Sequence, residues 1–98
     1  MTNTDKQELI KTSWALHQQV ETAYQQISAL EGEQDWLEKQ RFLLADMAIH
    51  LLQTSIEPGH VDLNKLKNNI YSILTISERF ISDAGLKEAA NQLLEAQQ

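Results

Sequence analysis

Trp36-Leu37-Glu38-Lys39-Gln40-Arg41-Phe42-Leu43-Leu44-Ala45-Asp46-Met47-Ala48-Ile49-His50-Leu51-Leu52-Gln53-Thr54 decides the fold. The stretch holds no glycine and no proline. Its length and composition predict one helix, from about 34 to 54. At about 100° per residue, its apolar side chains cover most of the circumference. The polar strip left over holds Lys39, Asp46, His50 and Gln53, and is expected to point away from the core. A helix apolar nearly all round is buried on several sides. It is therefore either the central element of a monomer or an element that shares a face with a second copy.

Working outward, breaks stand at Glu31-Gly32-Glu33, Glu57-Pro58-Gly59 and Ser82-Asp83-Ala84-Gly85. Glycine and proline punctuate helices, so three breaks predict four of them, at about 5–30, 34–54, 62–82 and 84–96. Thr4 and Gln7 have the spacing of a capping box, and Asp62 that of an N-cap. Leu9, Leu16, Val20, Ala23, Ile27 and Leu30 recur on one stripe of the first helix, with Ser13 among them. That stripe is expected to face inward. Leu63, Leu66, Ile70, Ile73, Leu74, Phe80 and Ile81 are the expected core of the third helix. Leu86, Ala89, Ala90, Leu93 and Leu94 are that of the fourth. Short connections favour antiparallel neighbours. The expected fold is all-α: one domain over 1–98, an antiparallel up-down-up-down four-helix bundle with a short fourth helix.

The net charge of −6 disfavours direct binding of nucleic acid, because phosphates repel an acidic surface. Without cysteine there is no disulfide and no thiolate metal site. No run reaches the roughly 18 apolar residues of a membrane span, and Met1–Asp5 does not read as a signal peptide. The sequence is therefore expected to be cytoplasmic, with no membrane partner.

Two histidine–carboxylate pairs have i,i+4 spacing: His17 with Glu21, and Asp46 with His50. On antiparallel neighbouring helices they fall at similar heights. Di-iron bundles use Glu-x-x-His projecting inward from a helix; the spacing occurs here only at Glu57-Pro58-Gly59-His60, in a predicted turn. No cofactor or metal is therefore expected. A bundle binding metal through His17, Glu21, Asp46 and His50 is the alternative. No phosphate loop or catalytic spacing is present, so no enzymatic activity is expected.

Glu8–Trp14 resembles the first helix of globins. The likeness covers under a tenth of the chain. The remainder is too short for the globin helices, so neither fold nor function is carried over.

Trp14 lies about 140° from the inward stripe of the first helix. Ile10, His17 and Tyr24 fill the arc between. Trp36 stands beside the acidic turn. Tryptophan and tyrosine anchor protein interfaces well. The functional expectation is a small acidic, non-enzymatic protein-binding module of the inhibitor, immunity or adaptor kind. Ile10, Trp14, Tyr24 and Trp36 are its candidate anchors. Glu31, Glu33 and Asp35 are candidates to steer a partner with a basic surface. A structural homodimer is the other expectation.

Overall fold

The computed structural model describes residues 1–95. It is all-helical, with α1 over Asn3–Gln25, α2 over Trp36–Ile56, α3 over Leu63–Ser77 and α4 over Leu86–Glu95. The expected end of the last helix, Ala96, lies outside the described residues. The capping box of α1 uses Thr2 and Asp5 rather than Thr4 and Gln7. Thr2 Oγ1 accepts from the Asp5 amide at 3.1 Å, and Asp5 Oδ2 accepts from the Thr2 amide at 3.1 Å. The acid also complements the helix dipole. Asp62 caps α3, accepting from the amides of Asn64 (3.0 Å) and Lys65 (3.1 Å).

Two helices stop short of their expected ends, α1 at Gln25 and α3 at Ser77. Past Gln25, the Leu30 amide is held by Glu33 Oε1 at 2.8 Å, instead of by a carbonyl one turn back. Gly32 turns there with φ of +90°, a conformation that glycine adopts without a steric penalty. Past Ser77, the chain tightens through bonds from Arg79 to Ile76 and from Phe80 to Ser77. That bend lets Glu78 Oε1 accept from the Lys87 amide at 3.2 Å, capping the first turn of α4. The carboxylate of Glu78 thus joins the end of one helix to the start of the next.

α1 packs on α2, α2 on α3 and α3 on α4; among the described residues no other pair of helices packs together. Along α1, Ser13, His17 and Tyr24 meet Gln53, Asp46 and Lys39 of α2 in turn, so these helices run in opposite directions. Glu57 meets Lys65, and Gln40 meets Arg79, so the chain reverses again from α2 to α3. The bundle is therefore opened into a layer. Its extents are 45 × 35 × 15 Å, with a radius of gyration of 15.1 Å. A compact chain of this length has a radius of about 12.6 Å. Of the apolar side chains described, only Ile76 and Ala90 are fully buried.

The side of α1 turned to α2 differs from the expected stripe. Ile10, Ser13, His17, Val20 and Tyr24 face it, with Ser13 only 1% exposed, whereas Leu16 is 45% exposed. The two stripes differ by a rotation of about 75° about the helix axis. The polar strip of α2 explains it. Gln53 and Asp46 point at α1, against expectation, and α1 answers with Ser13 and His17. A buried amide or carboxylate left without a partner costs more than a half-exposed leucine.

Candidate functional site

The seam between α1 and α2 carries a cluster of titratable groups. His17 projects from α1 and Asp46 and His50 from α2, one helical turn apart. Asp46 Oδ1 lies against His17 Nδ1, and Asp46 Oδ2 is 3.4 Å from His50 Nε2. The other ring nitrogen of His17, Nε2, is 3.1 Å from Glu21 Oε2. The two imidazoles stand edge to face with centroids 5.0 Å apart, and Trp14 packs at 5.4 Å on the far side of His17. His17 and Asp46 are largely buried, His50 less so and Glu21 half-exposed. Potential ligand atoms of His17, Asp46 and His50 all lie within 4.8 Å of one another.

A cleft of about 330 Å³ opens beside this cluster, lined by His17, Glu21, Tyr24, Gln25, Leu43 and Asp46. Tyr24 forms one wall, with the Lys39 ammonium 4.7 Å above its ring. A second cleft, of about 350 Å³, lies beyond His50. Ile10, Trp14, Glu57, Lys65 and Asn69 are among its lining residues. Asn69 Oδ1 is buried there without a hydrogen-bond partner.

No family model, curated protein or solved structure matches this chain.

The candidate anchors fall in separate places. Ile10 and Trp14 line the second cleft, and Tyr24 the first. Trp36 lies toward the other neighbour of α2, with the Arg79 guanidinium 5.6 Å from its ring. Trp36 is level with the last turn of α1, and Trp14 with the last turns of α2. About 25 Å of helix separates them. In the acidic turn, Glu33 is engaged with Leu30. Asp35 occupies the N-cap position of α2 without a side-chain cap bond, and Glu31 is exposed.

A different surface joins several exposed apolar groups. Around α1, Leu9 and Leu16 stand about 140° and 160° from Trp14. Around α2, Ala45, Ala48 and Leu52 stand about 140–160° from His50. Both sets therefore occupy the face of the layer opposite the clefts, and all are exposed. Of the expected core stripe of α1, Leu9 and Leu16 line the open face, whereas Ser13 and Val20 face α2. Phe80 extends this face beyond α3, closing a groove of about 460 Å³ with Arg41, Leu44, Ala45 and Ala48. Periodicity marks Leu9, Leu16 and Phe80 as core, and reads α2 as apolar nearly all round with a face that a second copy could share. It carries no information on which neighbour, if any, covers them.

Proposed function

We propose that this chain is a small non-enzymatic protein-binding module that acts through the apolar face of its helical layer, and that the chain closing this face is a second copy. The carrying observation is excess surface. The chain exposes 6813 Å², whereas a compact monomer of its 11.2 kDa mass exposes about 5,700 Å². The surplus is about 1,100 Å² per chain, and two copies covering it from each other bury about 2,200 Å², an area found in obligate dimers. The face is also suited to self-pairing. Ala45 and Ala48 let two α2 helices approach closely. Arg41 is paired within the chain to Glu38 at 2.9 Å, so this pair adds no net charge where the copies meet. Each leucine buried there contributes about 1.5–3 kcal/mol.

Light scattering on a size-exclusion column tests this with untagged protein over a wide concentration range. The expected mass is about 22 kDa, twice the 11.2 kDa chain, as a two-fold dimer requires. Leu52→Asp and Ala48→Glu, on an exposed stripe, are expected to give monomers of undiminished helicity. A wild type that stays monomeric at every concentration would overturn self-pairing.

A further inference from the structure

We propose that His17, Asp46 and His50 bind one divalent transition-metal ion, with Glu21 holding His17 in the ligating tautomer. The site is separate from the apolar face. Glu21 and Gln25, on the rim of its cleft, stand within about 20° of Trp14 around α1, on the opposite side of the layer from Leu9 and Leu16.

The first support is proton bookkeeping. A neutral imidazole has one N–H, yet both ring nitrogens of His17 face carboxylates: Nε2 faces Glu21, and Nδ1 faces Asp46. If Nε2–H donates to Glu21, the Nδ1 lone pair points at an Asp46 oxygen. A neutral ring donates to only one of these carboxylates, so its other nitrogen carries a lone pair that can ligate a cation. On the other side of Asp46, Oδ2 faces His50 Nε2 at 3.4 Å. Glu21 is then the outer carboxylate that metal-bound histidines typically carry on the ring nitrogen not facing the metal.

The second support is spacing. In a tetrahedral zinc site with bonds near 2.05 Å, ligand atoms lie about 3.4 Å apart. The ligand atoms of His17, Asp46 and His50 lie within 4.8 Å of one another, so side-chain rotations that open the His17–Asp46 contact bring all three onto one ion. His17 and Asp46 are held at the packed seam of α1 and α2, and His50 is one turn from Asp46, so the site is organised by the same contacts that build the fold. Two imidazoles and a carboxylate suit zinc and its first-row neighbours better than magnesium or calcium, which prefer all-oxygen shells. The cleft of about 330 Å³ beside His17 and Asp46 gives the ion an entry path and leaves room for water as a further ligand.

The test titrates zinc chloride into untagged, chelator-treated protein by calorimetry and follows histidine ring resonances by NMR. The expected result is one ion per chain, with the His17 and His50 rings shifting and the exposed His60 ring unmoved. His50→Ala is expected to remove saturable binding, and Glu21→Ala to weaken it about tenfold. His60→Ala should leave it unchanged. Circular dichroism confirms that each variant is helical, and His50→Gln provides a milder replacement if His50→Ala loses helix. Rings of His17 and His50 that stay unshifted at excess zinc would overturn the proposal. So would binding that survives both His50 variants or depends equally on His60. A monomeric wild type with intact zinc binding would defeat self-pairing alone, and a zinc-free dimer this site alone.

Discussion

Asp46 on α2 meets His17 on α1 across 29 positions of sequence, and its second oxygen faces His50 one turn along its own helix. One carboxylate therefore links the two helices and aligns both imidazoles. Asp46→Ala is expected to lower unfolding stability by about 1–3 kcal/mol, the range for charged hydrogen bonds in partly buried places. Asp46→Asn, which keeps the packing and one polar contact to each ring, should lose less. Urea denaturation of the two variants beside wild type checks the order. For a domain of this size each kcal/mol appears as about 4–8 °C in Tm.

Ser13 is the most deeply buried polar side chain of α1. Its hydroxyl donates to the Ile10 carbonyl at 2.6 Å and accepts from Gln53 Nε2 at 3.0 Å. Ser13→Ala strands the amide of Gln53, itself largely buried, and is expected to cost about 1–2 kcal/mol. Adding Gln53→Leu to that variant removes the stranded donor and should recover part of the loss. Equal, additive losses in the double-mutant cycle would show that the two side chains do not act as a pair.

Asp62 supplies both side-chain bonds that cap α3. Asp62→Ala is expected to destabilise the fold by about 1 kcal/mol, with faster amide exchange at Asn64 and Lys65. Asp35, at the corresponding position of α2, makes no cap bond, so Asp35→Ala should change stability far less.

Tyr71 is held below the ordinary tyrosine value of 10.0. The main cause is the hydrogen bond to Lys87 Nζ at 2.7 Å, opposed by desolvation and helped by the charge of Lys87 and by Thr75. The folded protein therefore gives up this proton before the unfolded chain does. Its contribution to stability is present above pH 10, and is lost as pH falls through the folded-state value. Tyrosinate absorbance of a Tyr24→Phe background isolates Tyr71. Lys87→Met should move the titration upward, and wild type should gain on Lys87→Met as pH rises through that window. An unchanged titration in Lys87→Met would show that Lys87 is not the cause.

Several features of the site were readable from spacing. His17 with Glu21, and Asp46 with His50, fall at i,i+4, and antiparallel neighbours set them at one height. The hydrogen-bond partner of His17 was not readable, because the polar strip of α2 was expected to face solvent. That strip points at α1 because Gln53 and Asp46 find Ser13 and His17 there. The separation of Trp14 from Trp36 was equally hidden, since it follows from their positions at opposite ends of an antiparallel hairpin.

Helix content, the places where helices break and the cap at Asp62 are set by local physics. Backbone conformation, hydrogen bonds between near neighbours and the 3.6-residue period act within a few positions of one another, and the residues themselves express them. The rotation of α1 on α2, the failure of α1 to reach α4 and the meeting of His17 with Asp46 are settled by contacts between distant parts of the chain. An apolar stripe such as Leu9 and Leu16 records that a surface is costly to leave in water. Burial is non-directional, so the stripe does not record what covers it. That is decided by which packing satisfies Ser13, Gln53, Asp46 and His17 together, leaving the leucines on the open face of the layer.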